Sequence, residues 1–261
     1  MKKGLRIALY AAVLAGTVVL LVFLGKGNDL QRARTACTEV EISIVDSARM
    51  SFVSEADVKA VLDKEFGAFK GKALDSLNLK KVEKALEATS AVLGCEAYVT
   101  DDGVMHVDVS QREPAVRFKT ATGGYYADER GFIFPLHQNF VSDATVVEGD
   151  IPMNIPEGFK GEPASPEEAA WLHDIIGMAS FINSGRTWRG AFRRIVVGKG
   201  GELVLYPVKG KEIFLFGTPD GYEAKLGRME RYYTEIAPVK EEGWYKSVDV
   251  RYDNQIICKT K

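Results

Sequence analysis

EAYVTDDGVMHVDVSQREP, residues 96–114, decides how the chain is divided. Glu96–Thr100 and Val104–Gln111 alternate apolar and polar side chains, the pattern of strands with one buried face. Met105, Val107 and Val109 share that face. Asp101-Asp102-Gly103 joins the two runs, and an Asp-Gly pair tolerates the positive φ of a tight hairpin. Arg112-Glu113-Pro114 then ends the ladder, because proline has no N–H to donate and restricts the residue before it. A first unit closes here and a second begins.

On the N-terminal side, Val40, Ile42 and Ile44 alternate with Glu41 and Ser43 and predict another strand. Ser54-Glu55-Ala56-Asp57 resembles a capping box. The apolar positions Val58, Val61, Leu62 and Phe66 then follow helical spacing, and Gly67 supplies a stop. Leu79, Val82 and Leu86 form a second helical stripe, with Lys80, Lys81, Glu83 and Lys84 on its wet side. The first unit, residues 37–112, is therefore expected to be β-α-α-β-β, one sheet with two helices on a face.

Further back, LRIALYAAVLAGTVVLLVFL, residues 5–24, carries no charge after Arg6. Twenty helical residues reach about 30 Å, the thickness of a bilayer's hydrocarbon core. Thr17 can return its hydroxyl to a carbonyl one turn earlier. Lys2, Lys3 and Arg6 favour a cytoplasmic N-terminus, residues 1–4, with the rest of the chain across the membrane. A cleaved signal peptide has a shorter apolar core, about 7–15 residues, whereas this run continues through Val18–Leu24. Arg34 occupies a place before Cys37 that a lipid-attachment pattern gives to an aliphatic residue. Residues 25–36 read as a short polar linker.

On the C-terminal side, strands follow one another. Gly123-Gly124 turns the chain into Tyr125–Asp128, and Glu129-Arg130-Gly131 turns it into Phe132–Pro135. Residues 151–164 are rich in proline and glycine and predict a loop. Ser165-Pro166-Glu167-Glu168 combines a cap, a first-turn proline and two acids, the start of a helix. Its apolar face is Leu172, Ile175, Ile176, Ala179 and Ile182. Three strands follow, Phe192–Val197, Leu203–Pro207 and Glu212–Phe216, then an amphipathic helix from Tyr222 to Ile236. The last strands are Ser247–Tyr252 and Gln255–Lys259. The second unit, residues 113–261, is expected to be a largely antiparallel sheet with two helices, and the whole chain an α+β protein.

The chemistry is sparse. The 34 basic and 36 acidic residues nearly balance, and no basic patch with interleaved aromatics points to nucleic acid. Cys37, Cys95 and Cys258 are far apart, and three is an odd number for a disulfide framework. If two of them pair, Cys37 and Cys95, both in the first unit, are the pair expected. The plainer expectation is three thiols that act as small apolar residues. His106, His137 and His173 show no metal-ligand spacing. No G-x-S-x-G elbow is present. Lys199-Gly200-Gly201 joins two strands, with no helix behind it to hold phosphate. Asp101-Asp102 and Asp128-Glu129 fall in turns, which favour such acids for their local hydrogen bonds. No catalytic, metal or cofactor site is expected, nor a small-molecule substrate. The main competing reading is a membrane-tethered periplasmic cell-envelope enzyme or cell-wall modifier, which would gather His, Cys or acid side chains in one cleft.

Several runs together resemble the FtsQ/DivIB family of bacterial cell-division proteins, in its Bacteroidetes-type form. They are Asp108–Pro114, Gly123–Phe134, Phe214–Gly217 with the helix Ala224–Tyr233, and Val248–Asn254. The resemblance implies that the first unit is a POTRA domain and the second the family's β domain. It implies a non-catalytic divisome scaffold in the inner membrane, at the septum during division. Such a scaffold recruits the FtsB/FtsL pair, helps control septal peptidoglycan synthesis, and meets other division proteins through its POTRA domain. Carried over by position, the partner-binding strip is Tyr252, Ile256, Ile257, Cys258 and Lys259. If the last strand is a sheet edge, its main chain can accept a partner strand. The helix Ser54–Phe66 with its following loop is a candidate for other contacts. The family often has Asn-Gly in its final turn; here Gln255 follows Asn254, so a different turn is expected.

Overall fold

The computed structural model describes residues 13–20, 35–48, 50–120, 123–137 and 140–260. Residues 13–20 are helical, and the Thr17 hydroxyl donates to the carbonyls of Val13 at 3.1 Å and Leu14 at 2.8 Å. The expected cytoplasmic start, the rest of the apolar run at 5–24 and nearly all of the linker lie outside the described residues. Among the described residues, no helix is long and apolar enough to cross a membrane. The chain divides into two compact units between Gln111 and Arg112.

The first unit runs β1 (Glu39–Ile44), α1 (Glu55–Phe66), α2 (Leu79–Glu87), β2 (Val92–Val99) and β3 (Val104–Gln111). Ser54 caps α1 with the reciprocal bonds expected. Its side chain accepts from the Asp57 amide, and the Asp57 carboxylate accepts from the Ser54 amide. Gly67 ends the helix at φ 66°, a left-handed value that costs glycine little. The sheet order is β1-β3-β2, with β1 parallel and β2 antiparallel to the central β3. Met105, Val107 and Val109 are fully buried with Val58, Leu62, Val82 and Leu86 from the helices.

Among the described residues, one polar side chain, Gln111, is buried in this core, and both ends of its amide are hydrogen-bonded. The Gln111 carbonyl oxygen accepts from the Val53 amide at 2.8 Å. Its amide nitrogen donates to Asp46 Oδ1 and to the Met50 carbonyl, both at 3.0 Å. Gln111 thereby fastens the end of β3 to the loop that leads into α1.

The second unit contains β4 (Pro114–Thr120), β5 (Gly123–Asp128), β6 (Ile133–Pro135), β7 (Thr145–Gly149), α3 (Pro166–Ser184), β8 (Phe192–Val197), β9 (Leu203–Pro207), β10 (Ile213–Gly217), α4 (Tyr222–Arg231), β11 (Tyr245–Asp249) and β12 (Ile257–Thr260). Its nine strands form one sheet in the order β12-β11-β10-β9-β8-β7-β4-β5-β6. The sheet is mixed: most of its pairs are antiparallel, as expected, but β4–β7, β7–β8 and β10–β11 pair in parallel. The cause is β7, a five-residue strand in a segment without clear alternation, which enters the middle of the sheet and makes two of the three parallel pairs.

The Leu172, Ile175, Ile176, Ala179 and Ile182 face of α3 packs on this sheet with Leu226 and Met229 of α4. The two helices meet Val116, Phe118, Val147, Ile195, Leu205, Phe214 and Val248. Helix α4 does not run on as regular α-helix to Ile236. It passes into a π-helical turn at Tyr232–Ile236, then a 3-10 turn over Ala237–Val239 that contains Pro238.

Candidate functional site

The two edges of the large sheet differ. At one, β6 is three residues long and ends in Pro135. Beyond β6, Ile133 and Gly161 exchange main-chain bonds at 2.8 and 3.0 Å. That edge is short, proline-terminated and covered, all devices that block a further strand. At the other edge, β12 pairs only with β11, placing Ile257 opposite Asp249, Cys258 opposite Val248 and Lys259 opposite Ser247. No strand lies beyond it among the described residues.

The sequence-derived strip separates into two faces. Ile256 and Cys258 are half-buried and pack against the helix-covered core. Ile257 and Lys259 point the opposite way and are exposed. Tyr252 is not in the strand but in the turn before it, 46% exposed, with the Arg251 guanidinium 5.6 Å from its ring centre. The open edge thus offers a strand's worth of main chain with an aromatic ring at one end, an aliphatic side chain and a cation. Burial raises the Cys258 pKa, as befits a thiol acting as an apolar residue.

Side chains outside that strip hold the turn. Arg251 Nε and Nη2 donate to Asp249 Oδ1 and Oδ2 at 3.0 and 2.8 Å, a two-pronged pairing. Burial pushes the Asp249 pKa up. The Arg251 hydrogen bonds and charge, with Lys259, outweigh it and hold this carboxyl below its ordinary value. Arg251 also reaches Glu202 at 3.4 Å. Gly217, at φ 76°, lies beneath it, and a Cβ there would sit 3.0 Å from Arg251 Cγ. From α4, Arg228 donates to the Val250 carbonyl at 2.9 Å and to Asp253 at 3.2 Å. Asn254 completes the turn at φ 60°, a left-handed conformation that asparagine tolerates better than most residues. Asp249, Arg251 and Asp253 stand in the Val248–Asn254 run singled out from the sequence. Gly217 ends the Phe214–Gly217 run. Nothing in the pattern showed that these residues support β12.

Elsewhere the titratable groups are scattered. His106 is half-exposed on β3, 3.1 Å from Glu41 and stacked on Tyr98. His173 lies on α3 and His137 in the loop after β6. The three cysteines are free, and the Cys95 thiol is pushed up to about 12 by burial and by Glu83, Glu87 and Asp108. Among the described residues, no group of three or more His, Cys, Asp or Glu is placed to hold a metal.

A small β-α-α-β-β unit followed by a large mixed sheet with two helices defines a two-domain α+β protein. Residues 35–110 match the POTRA-like domain, and residues 113–259, more than half of the chain, match the family described as FtsQ/DivIB, C-terminal related. The chain belongs to the FtsQ/DivIB-related family of cell-division proteins. No curated protein sequence matches it.

Proposed function

We propose that this cell-division protein is a non-catalytic scaffold that recruits FtsB- and FtsL-type partners by adding a partner strand to β12, and so helps control septal peptidoglycan synthesis. The observation that carries the reading is the asymmetry of the sheet: β6 is covered through Ile133 and Gly161, whereas no strand lies beyond β12 among the described residues. Main-chain pairing along β12 would supply affinity. Tyr252 would supply a flat apolar anchor, Ile257 an aliphatic contact and Lys259 a charge for an acidic neighbour. Arg251, Asp249 and Arg228 act through the turn as positioning residues. The apolar run at residues 5–24 would anchor the chain in the inner membrane with its N-terminus in the cytoplasm and both domains in the periplasm. The first domain would meet other division proteins.

A photo-crosslinking side chain tests this in dividing cells. Placed at Ile257, it should capture the FtsB-type protein; placed at exposed Val141, it should not. Equal capture at both positions, or none at Ile257 in a chain that still supports division, would refute the strand-addition site.

A further inference from the structure

Strands β4 and β7 run in parallel, yet their chains leave in opposite directions. From β4 the chain turns into β5 on one side, and from β7 it passes through α3 to β8 on the other. In open sheets with parallel strands, ligands bind outside the carboxyl ends at such a reversal. A hollow of about 560 Å³ lies there, between Thr120 at the end of β4, Gly149 at the end of β7 and the proline- and glycine-rich loop that follows. Its size is ordinary for a binding pocket, about 300–1,000 Å³.

Ile151, Met153 and Phe159 supply apolar walls. Tyr125 lines the hollow too, 7% exposed, with its ring 5.0 Å from that of Phe118. The Tyr125 hydroxyl is buried and has no hydrogen-bond partner. Buried polar atoms are mostly paired, because one left alone costs stability. Burial and the Glu168 carboxylate raise the Tyr125 pKa, so the hydroxyl keeps its proton and its oxygen is a neutral acceptor in a negative field. Glu168 accepts from the amide of Asn154 at 3.0 Å, and Asn154 lines the hollow, so this charge stands beside it. The charged residues of the lining are both acids, Asp150 and Glu157, exposed at the rim. Neither makes an ion pair or a side-chain hydrogen bond among the described residues. Among those residues no lysine or arginine lines the hollow: Lys119 points to the other face of the sheet, 4.0 Å from Glu148, and Lys160 lies outside the lining.

We propose that this hollow binds a lysine side chain presented by a peptide segment of a protein partner. The lysine stem packs on Ile151, Met153 and Phe159, and its ammonium donates to the Tyr125 hydroxyl oxygen, the acceptor that the free chain leaves unused. Asp150 and Glu157 draw the charge to the mouth, and Glu168 favours it inside. A single hydroxyl oxygen suits the compact ammonium, whereas the planar fork of arginine is matched to a carboxylate. Five strands of the sheet separate β4 from β12, so the site is distinct from the β12 edge and its turn.

Panning a library of random peptides against the immobilised full-length chain tests the proposal, followed by anisotropy titration of the enriched sequences. The expected enrichment is peptides with a lysine whose replacement by norleucine, which keeps the stem and loses the charge, weakens binding roughly tenfold or more. Tyr125→Phe removes only the hydroxyl. It should weaken the same peptides several-fold, while the urea midpoint of the chain stays equal or rises, because an unpaired buried group has been removed. Asp150→Asn with Glu157→Gln should also weaken binding and flatten its salt dependence. Absence of enrichment, enrichment of sequences without lysine, or unchanged affinity in Tyr125→Phe would overturn the proposal. A lowered urea midpoint in Tyr125→Phe would overturn it as well, since the hydroxyl would then serve the fold.

Discussion

Arg251 grips the carboxylate of Asp249 with two hydrogen bonds of 3.0 and 2.8 Å, and that grip sets the turn from which β12 returns along β11. Asp249 is nearly buried, so its charge depends on this partner. The pairing makes a prediction in pH. A carboxyl whose folded pKa lies below its unfolded value, about 3.9 for Asp, stabilises the fold above that value and loses the contribution as pH falls through the folded pKa. Asp249→Asn should therefore destabilise the second unit at pH 7 and remove part of the stability that wild type loses below about pH 4. Urea unfolding followed by tryptophan fluorescence reports it, since Trp171, Trp188 and Trp244 all lie in that unit. Parallel pH profiles for variant and wild type would contradict the assignment.

A second prediction concerns Arg112 and Asp128, paired at 2.7 Å with side chains 13% and 7% exposed. Asp128 Oδ1 also accepts from the Arg130 and Phe132 amides at 2.9 and 3.0 Å, and the Arg112 guanidinium lies 3.7 Å from the Phe132 ring centre. Removing one partner of a buried pair leaves an uncompensated charge and costs about 3–5 kcal/mol, whereas apolar replacement of both is often mild. Asp128→Asn should cost about 3 kcal/mol, and adding Arg112→Met should recover much of it. The same fluorescence measurement checks both, and a double variant weaker than the single one by the full cost of Arg112→Met would show that the two are not coupled.

Gln111 gives the third. Gln111→Leu leaves the Val53 amide without its acceptor and the Met50 carbonyl without a donor. The expected loss is roughly 2–3 kcal/mol in the first unit, the cost of buried polar groups left unpaired. Hydrogen exchange at the Val53 amide should accelerate by more than tenfold, while amides of β9 and β10 keep their protection. Unchanged exchange at Val53 would mean that another acceptor replaces Gln111.

Local signals carried much of this fold into the sequence. The Ser54 box, Gly67, the Asp101-Asp102-Gly103 turn and the Ser165 start of α3 act through neighbours within a few residues, so they can be read without tertiary context. Strand β7 could not be read that way. Thr145–Gly149 alternates poorly, and its strand character comes from two parallel neighbours, β4 and β8, far away in sequence. The Gln111 bonds span 58 to 65 residues and the Arg251–Glu202 contact 49, separations that no periodicity reveals. Gln255–Lys259 was legible as a terminal strand from its residues, close to the observed Ile257–Thr260, and the family resemblance added the strip Tyr252, Ile256, Ile257, Cys258 and Lys259. The division between inward Ile256 and Cys258 and outward Ile257 and Lys259 required the register of β12 on β11.

The most direct test of the account is binding of the periplasmic parts of FtsB and FtsL to the full-length chain, measured beside an Ile257→Pro variant whose fold is checked by tryptophan fluorescence. Proline is tolerated at a sheet edge, yet it removes a main-chain donor and disturbs the pairing surface. The account predicts binding by the native chain and its loss in the folded variant. Equal binding by both, or no binding by the native chain, would contradict a scaffold that works through β12.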